Sequence, residues 1–365
     1  MRMSLIVFVS IALLIYFTLH ALVFLLIKGF LQPLSEPARW LLAGLLFLLA
    51  LCFIAAFILT HLGGRPWLRA FYYCSALWLG TLVNLLLILS AGFLVYGTLH
   101  LIGVAPDRRT FGILLLIFTA FYTAYGLIHA RRLDLKSVSV PAKEIPSSWK
   151  GKKIVQVSDI HLGMINGEGL SRKIVDLFEE QRPDVVFITG DLFDAVGDHL
   201  AEAVAPFNRL PMPIYFVTGN HETYLGLDRV MGVLAGTKIR VLRDEIVEVE
   251  GMQVVGVDYP ERGMKKDIRP ILEKLDRSRP VLLLFHEPVL FDGLDPFPFV
   301  LQLSGHTHNG QMWPMKGFTR LIYKGRDYGL HQTEGFFLYT TSGAGTWGPP
   351  MRIGSTAEVV ALSFR

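Results

Sequence analysis

The chain has 365 residues, of which 52% are hydrophobic and 18% charged, and its mean hydropathy is +0.44. This composition is too apolar for an ordinary soluble protein. The net charge is only +4, and the second half has no basic stripe with interleaved aromatic residues, so we expect no nucleic-acid partner. The two cysteines, Cys52 and Cys74, lie in apolar segments and indicate neither a disulfide framework nor a thiolate metal site.

Four long segments in the first third of the chain contain no Asp, Glu, Lys or Arg: residues 3–27, 40–60, 70–106 and 110–130. A helix needs about 20 apolar residues to cross a bilayer, and these segments are apolar on all faces. The first has a longer apolar core than the roughly 7–15 residues of a signal peptide, and no small-residue cleavage site precedes Lys28. We therefore predict an uncleaved four-helix transmembrane anchor over residues 1–132, in a bacterial-type inner or plasma membrane.

Basic residues near the ends of the spans bear on the orientation of this anchor. With four spans both termini lie on one side, which would carry Arg2, Arg65, Arg69, Arg131, Arg132 and Lys136. The other side would carry Lys28, Arg39, Arg108 and Arg109. Because cytoplasmic loops are enriched in Lys and Arg, this difference favours a cytoplasmic second half.

The second half has the pattern of an α/β domain. Residues 133–150 contain prolines and serines and are predicted to be a linker with one early strand, and residues 151–365 form the domain itself. Strands are predicted at 136–140, 153–158, 184–189, 214–218, 239–242, 245–249, 253–257, 281–285, 299–303, 336–341 and 358–364, and helices at 170–181, 199–208, 227–235 and 268–276. Early alternation predicts parallel pairing and later adjacent strands antiparallel pairing, so we expect a mixed two-sheet core with helices outside.

Polar residues of one chemical kind follow five of these strands. The sequences are Ser158-Asp159-Ile160-His161, Thr189-Gly190-Asp191-Leu192-Phe193-Asp194, Gly219-Asn220-His221-Glu222, His286-Glu287 and Gly305-His306-Thr307-His308. A single Asp or Asn of this kind could simply cap the next helix. Five successive strand ends that carry Asp, Asn and His instead indicate a shared site, since ligands collect at the carboxyl ends of strands in open α/β sheets.

The residue types in these motifs predict the kind of site. Carboxylate, amide and imidazole donors without sulfur suit Mn²⁺, iron or Zn²⁺. The donors are too many for one ion, whereas two ions about 3.5–4 Å apart, bridged by one carboxylate, would use them all. We expect Mn²⁺, with iron and Zn²⁺ as alternatives.

The ordered motif set resembles the calcineurin-like metallophosphoesterase superfamily, across about residues 154–311. The resemblance implies a four-layer α/β/β/α sandwich of two mixed sheets. It implies one metal held by Asp159, His161, Asp191 and His308, and a second held by Asp191, Asn220, His286 and His306. It further implies that His221 is an uncoordinated catalytic histidine oriented by Asp194, and that a metal-bridging hydroxide attacks phosphorus.

The sequence leaves two interpretations open for each of two further segments. The sequence Gly348-Pro349-Pro350-Met351-Arg352 is similar to the membrane-associated branch of the superfamily, in which Arg352 would clamp a substrate phosphate; alternatively it is a surface arginine ordered by a structural loop. Trp313, Met315, Phe318, Leu321 and Tyr323 either line a lipid-accepting groove or belong to the core, and the core is favoured. Asn309 stands where this branch more often has glycine.

We therefore expect a membrane-anchored metal-dependent phosphoester hydrolase of the phosphodiesterase or pyrophosphatase type. An anchored enzyme meets membrane-resident substrates at high effective concentration, which favours a lipid-linked substrate. The UDP-2,3-diacylglucosamine pyrophosphatases, which belong to this superfamily, provide an example. The alternatives are a generic phosphodiesterase or protein phosphatase, or a catalytically silent scaffold at the membrane, and the complete ligand set argues against the scaffold.

Overall fold

A computed structural model of the chain describes residues 2–60, 63, 65–104, 106–142, 144–261, 264–294, 297–333 and 336–365, without the side chains of residues 2–5. The chain divides into two compact units. The first comprises Met1–Ile128 with Gly348–Met351, and the second comprises His129–Trp347 with Arg352–Arg365.

Long apolar helices make up the first unit. They are α1 (Arg2–Phe30), α2 (Glu36–Leu59), α3 (Pro66–Leu101) and α4 (Arg108–Ala130). All four are long and apolar enough to cross a membrane. Most of their apolar surface is exposed, and between 11% and 33% of each apolar window is buried within the protein. Exposed apolar surface of this extent suits lipid, so the four predicted spans are confirmed as candidate membrane helices.

Two pairs of polar side chains inside this unit are hydrogen-bonded to each other. Trp78 donates its indole N–H to Nε2 of His20 at 3.0 Å, and Asn84 donates to the Thr123 hydroxyl at 3.0 Å. Such pairs satisfy polar groups that lipid cannot hydrate. Among the described residues of the spans, no Asp, Glu, Lys or Arg is buried.

The second unit is an α/β domain. Its strands are β1 (Leu133–Val140), β2 (Ile154–Val157), β3 (Val185–Thr189), β4 (Ile214–Val217), β5 (Ile239–Val241), β6 (Glu245–Val249), β7 (Met252–Gly256), β8 (Val281–Leu284), β9 (Val300–Ser304), β10 (Gly329–Gln332), β11 (Phe337–Thr340) and β12 (Ala357–Phe364). Its helices are α5 (Glu168–Gln181), α6 (Leu200–Val204), α7 (Asn220–Leu225), α8 (Leu227–Leu234), α9 (Arg269–Leu272) and α10 (Met315–Ile322).

The strands form two mixed sheets, each of six strands among the described residues. The first has the order β1-β12-β2-β3-β4-β5 and the second the order β10-β11-β9-β8-β7-β6. The neighbours β2 to β5 are parallel, as are β7, β8, β9 and β11, while β12/β2, β6/β7 and β10/β11 are antiparallel. The predicted mixed two-sheet core is confirmed.

Apolar side chains fill three layers around these sheets. Residues such as Phe187 of β3 and Leu282 of β8 pack together between the two sheets. A second cluster joins the outer face of the first sheet to α5, α6 and α8, and a third covers the outer face of the second sheet with α9 and the segments around it. The order of layers is therefore helix, sheet, sheet, helix.

Several elements differ from the sequence prediction. Residues 133–140, within the predicted linker, form the full strand β1, paired in parallel with β12. The predicted helix 268–276 contracts to the four residues of α9, followed by turns. The predicted helix 199–208 divides into α6 and a 3₁₀ turn that begins before Pro206, because proline cannot donate the next helical hydrogen bond. Strand β10 and helices α7 and α10 were not predicted.

Candidate metal centre

The register of the sheets brings the five polar motifs to neighbouring strand ends. Val157, Ile188 and Phe216 are aligned across β2, β3 and β4, and Gly256, Leu284 and Leu303 across β7, β8 and β9. Because these strands are parallel, the residues that follow them leave at one edge. Backbone bonds then join the loops: the N–H of Asp159 donates to the Gly190 carbonyl at 3.1 Å and that of His161 to the Asp191 carbonyl at 3.0 Å.

Left-handed backbone conformations turn several of these side chains inward. Asp159, His161, Asp191, His306 and His308 all have φ between 50° and 75°. This region is uncommon for residues other than glycine and costs of order 1–3 kcal/mol each when imposed. Repetition of the same strained geometry at five predicted ligands indicates that the surrounding structure enforces it.

One glycine permits the two sheets to approach each other at the site. A Cβ at Gly305 would collide with Ser158 and with the carboxylate of Asp159. The following N–H, that of His306, donates to both oxygens of that carboxylate at 3.0 Å. Glycine at 305 therefore couples the loop after β9 to the loop after β2.

The first group of donors consists of Asp159, His161 and His308, all buried. Nε2 of His161 lies 3.0 Å from Nε2 of His308, and the latter lies 3.5 Å from Oδ1 of Asp159. Burial lowers the pKa of His161 to about 4 and holds that of His308 well below its ordinary value. Both imidazoles are thus neutral, which is the state that binds a metal ion.

The second group of donors consists of Asp191, His286 and His306, with Asn220 beside them. Nδ1 of His306 lies 2.9 Å from Oδ1 of Asn220 and 3.2 Å from Nε2 of His286. His286 donates its Nδ1–H to the Thr189 carbonyl at 2.8 Å, which leaves Nε2 facing the other donors. A backbone partner on the far nitrogen is the usual way in which a metal-binding histidine is oriented.

Asp191 lies between the two groups. Its Oδ2 is 3.2 Å from Nε2 of His286 in one group and 3.8 Å from Nε2 of His161 in the other. Burial opposes ionisation, but His286 and His221 hold the pKa of Asp191 well below its usual range. Conversely, although burial would lower it, Asp191 raises the pKa of His286 to about 10. The carboxylate is thus anionic and placed to face cations on two sides.

This donor set fits divalent ions. Two carboxylates, the Asn220 amide oxygen and four imidazoles converge without sulfur, and the ring nitrogens of His161 and His308 approach each other as ligands of one ion do. The structure therefore brings together all seven residues predicted to bind metal.

His221 lies beside the two groups and has a carboxylate partner. Its Nδ1 lies 2.9 Å from Oδ1 of Asp194, which also accepts the N–H of Ala195 at 2.8 Å. Because a carboxylate only accepts, Nδ1 carries the proton and Nε2 is left to exchange one. Burial lowers the pKa of His221, but Asp191 and Asp194 outweigh it and raise the pKa.

The sequence analysis missed the residues that brace and border this site. The buried Glu222 carboxylate accepts the N–H groups of Gly219, Asp191 and Phe193 at 2.7, 3.0 and 2.9 Å. The rings of Tyr224 and Trp347 lie 5.6 and 6.1 Å from that of His221, and both side chains are more than half exposed. The position of Glu222 directly after His221 was the available signal for the first.

Arg352 occupies a different place from either predicted one. Its side chain is fully buried and donates to the carbonyls of Ser342, Gly343 and Gly345. Its Nη2 also lies 3.4 Å from Nδ1 of His308. It is therefore neither a surface residue nor free to clamp a phosphate, because its donors serve the glycine-rich turn behind the site.

The departure at Asn309 has a conformational explanation. Asn309 is buried and left-handed, with φ of 49° and ψ of 38°. Glycine adopts this conformation without strain, and asparagine tolerates it better than most residues. The substitution therefore preserves the path of the loop that holds His308.

A family comparison bears on this arrangement. Residues 152–310 match the family model described as calcineurin-like phosphoesterase. The chain is 33% identical over 270 residues to an uncharacterized metallophosphoesterase of Campylobacter jejuni, a match that covers 71% of this chain and 70% of the relative. The chain belongs to the calcineurin-like metallophosphoesterase family. A metallophosphoesterase of Aquifex aeolicus is 32% identical over 66% of this chain and 95% of its own length.

A relative from Danio rerio carries a name that includes a membrane region. The "transmembrane protein with metallophosphoesterase domain" is 34% identical over 69% of this chain, and the match spans 62% of its length. A solved dimetal phosphatase from Danio rerio is 13% identical with a TM-score of 0.34, over 53% of this chain and 87% of that one. This score is too low to add to the argument.

Family membership and the donor groups together establish the class of the protein. It is a metallophosphoesterase, a class of metal-dependent phosphoester hydrolases, and groups of His and Asp that could hold metal ions lie at its strand ends. The four apolar helices and the relatives named as transmembrane proteins indicate a membrane protein. These findings support the predicted enzyme class over a catalytically silent scaffold.

Proposed function

We propose that the protein hydrolyses a phosphodiester or diphosphate bond in a lipid-linked substrate, such as UDP-2,3-diacylglucosamine. The observation that supports this proposal is the exposed aromatic pair beside His221. Trp347 is 58% exposed and Tyr224 is 53% exposed, although both are large and partly apolar. Exposed aromatic surface next to a polar centre suits a substrate with a phosphate and an apolar part.

We propose that two divalent ions, most suitably Mn²⁺, bind in the arrangement implied by the family motifs. One would be held by Asp159, His161, Asp191 and His308, and the other by Asp191, Asn220, His286 and His306. Once bound, such ions activate water as a nucleophile and offset the charge of the phosphoryl oxygens. The contribution of the protein is to hold the seven side chains in place, through the Glu222 and Gly305 contacts described above.

His221 is proposed to give a proton from Nε2 to the leaving oxygen. Asp194 accepts the Nδ1–H at 2.9 Å and so fixes the tautomer and the direction of the ring. Fixing a histidine in this way is what general acid catalysis requires. The aromatic rings of Tyr224 and Trp347 would contact the apolar part of the substrate rather than the reacting phosphoryl group.

The four apolar spans support a lipid-linked substrate, because they would anchor the enzyme in the bilayer that contains such a substrate. An anchored enzyme and a bilayer substrate share a small volume, which raises their effective concentration. We also propose that the catalytic domain faces the cytoplasm, because the side of the anchor from which it emerges carries the larger number of basic residues. A C-terminal reporter enzyme that is active only outside the cytoplasm tests this orientation, and strong reporter activity would contradict it.

The substrate proposal is tested with the full chain in detergent micelles and Mn²⁺. Turnover of UDP-2,3-diacylglucosamine is compared with turnover of bis-p-nitrophenyl phosphate. We expect the lipid-linked substrate to have the higher kcat/KM, and Trp347→Ala to lower it about tenfold or more, as loss of an apolar contact does. The same variant should leave the small soluble substrate nearly unaffected. Equal losses for both substrates, or preference for phosphoprotein over lipid, would contradict the proposal.

A further inference from the structure

Helix α10 presents an unusual surface directly after the metal loop. Met315, Phe318, Leu321 and Ile322 are 49%, 55%, 77% and 68% exposed, and Trp313 just before the helix is 57% exposed. All of α10 lies in the described part of the chain, and none of its residues is buried. The interpretation of this stretch as core is therefore wrong, because the apolar side chains point away from the domain.

The apolar residues occupy one side of the helix. Residues 315, 318 and 322 are spaced by three and four, and residue 321 lies beside them on the same face. The opposite side is held by the domain: Thr319 donates to Oδ2 of Asp327 at 3.0 Å, and the Tyr323 hydroxyl donates to Oε1 of Glu287 at 3.2 Å. The helix is thus fixed to the protein by its polar side, and its apolar side is left outward.

The segment that carries this apolar face is basic, although the carboxylates of Asp327 and Glu287 contact the polar side of the helix. Between Gln311 and Arg326 the sequence contains Lys316, Arg320, Lys324 and Arg326 and no acidic residue. Lys316 and Arg320 are exposed on α10 itself, one turn apart. Both project from the polar side of the helix, and Lys and Arg on one side with phenylalanine and leucine exposed on the other are typical of helices that lie in the surface of an anionic bilayer.

From these observations we infer that α10 docks on the surface of an anionic lipid bilayer. The apolar face of Phe318, Leu321 and Ile322 would enter the acyl boundary, while Lys316 and Arg320 contact the lipid phosphates. The chain has four further helices suited to a membrane, so a bilayer is available to this helix as it would not be in a soluble protein. A second copy of the chain could cover the apolar face, but it would not explain the basic residues of the helix.

The helix is also tied to the metal centre at both ends. Its first turn packs closely on Gly310, two residues after His308, so that a Cβ at Gly310 would collide with Lys316. At its other end the ring of Tyr323 lies 6.1 Å from that of His306. Docking of α10 would therefore hold the metal centre at the level of the lipid head groups, where a lipid-linked phosphate lies. This last step rests on the proposed function, whereas the docking itself does not.

A fluorescent probe in the full chain tests the docking without any measurement of activity. Leu321→Cys is labelled with nitrobenzoxadiazole after Cys52 and Cys74 have been replaced by serine. The protein is reconstituted into vesicles of phosphatidylcholine and phosphatidylglycerol, with or without brominated phosphatidylcholine. The matched control carries the probe at Glu180→Cys, an exposed residue of α5.

We expect bromolipid to quench the probe at 321 about twofold, since such a helix lies about 5–10 Å into the head-group boundary, and to leave the probe at 180 unquenched. Replacing Lys316 and Arg320 by glutamate should reduce the quenching at 321. A water-like, unquenched spectrum at 321 would overturn the inference. So would a blue-shifted but unquenched spectrum, which would mean that protein rather than lipid covers the face. Equal quenching at both positions would overturn it as well.

A second experiment separates this inference from the proposed function. Phe318→Ser with Leu321→Ser should preserve hydrolysis of bis-p-nitrophenyl phosphate and lower that of a vesicle-borne lipid-linked diphosphate by about tenfold, given the apolar area removed. Absence of activity on both substrates in the unaltered protein would refute the proposed function and leave the fluorescence result standing. Equal activity of variant and unaltered protein on the vesicle-borne substrate would overturn the role of α10 in presenting it.

Discussion

Two neighbouring segments of the chain depart from the usual distribution of polar and apolar residues in opposite directions. In the metal loop, residues 304–311, the imidazole of His308 and the side chain of Asn309 are buried. In the next segment, residues 313–322, Trp313, Phe318 and Leu321 are more than half exposed. Burying polar groups and exposing large apolar ones are both unfavourable in water.

This contrast indicates which environment suits each segment. Burial of the histidines is tolerated because their nitrogens face other ligands, and a bound cation would satisfy them together. Exposure of the α10 face is tolerated if lipid covers it. The buried polar groups of the first segment thus suit a cation, and the exposed apolar groups of the second suit lipid. The following substitutions test the two assignments separately.

The largest effect is expected at Asp191, which lies between the two donor groups. Asp191→Ala removes the carboxylate whose Oδ2 lies 3.2 Å from Nε2 of His286 and 3.8 Å from Nε2 of His161. We expect loss of measurable turnover, and metal content below two ions per chain, since the shared ligand serves both. Hydrolysis assays and elemental analysis of the purified variant check this, and full activity would refute the bridging role.

The next effect is expected at His221, which lies beside the donor groups without joining the proposed ligand set. His221→Ala should lower turnover by about 10²–10⁴-fold, the usual contribution of general acid–base catalysis, and should keep the metal content. Asn309→Gly is the matched control, because glycine suits the left-handed conformation at that position. Loss of metal from His221→Ala would show that its role is misassigned.

His306 and His308 should differ in the ion that each one holds. Nδ1 of His306 faces Asn220 and His286, whereas Nε2 of His308 faces His161. Each alanine variant should therefore retain about one of two ions, and with Mn²⁺ the magnetic coupling between ions should disappear in both. Equal retention of a coupled pair in either variant, measured by electron paramagnetic resonance, would argue against two separate sites.

The smallest effect is expected for the stability of the detergent-purified protein at α10. Phe318→Ser should change the free energy of unfolding by no more than about 0.5 kcal/mol, because the ring is exposed. Phe187→Ala, between the two sheets, should cost about 3–5 kcal/mol. Thermal unfolding of the two variants compares them, and a loss at Phe318 as large as that at Phe187 would mean that the α10 face is covered by the protein itself.

The sequence predicted the strands correctly where a buried strand forms an apolar run. The apolar run that ends at Phe285 and the run that ends at Leu303 predicted β8 and β9, and the polar residues after them predicted the site. The mixed two-sheet fold and the enzyme class are confirmed for that reason. Strand β10 was missed because its four residues include Gly329 and only one aliphatic side chain.

Tertiary context decided the features that the sequence could not predict. The sequence alone does not distinguish an apolar residue that faces the core from one that faces a membrane. Phe318 and Leu321 were assigned to the core for this reason. Arg352 has the side chain of a surface or phosphate-binding residue, and its burial depends on carbonyls of a turn up to ten residues away. The roles of the seven ligands, of His221 and of Asp194, and the domain limits, stay predictions.

The central claim is that the strand-end residues form a two-metal phosphoester hydrolase. Its most direct test is the rate of Mn²⁺-dependent hydrolysis of bis-p-nitrophenyl phosphate by the full chain in detergent micelles, beside its bound metal content and beside Asp191→Ala. We predict about two ions per chain, hydrolysis that a chelator abolishes and Mn²⁺ restores, and no turnover in the variant. Chelator-resistant hydrolysis, or equal rates in the two proteins, would contradict the account.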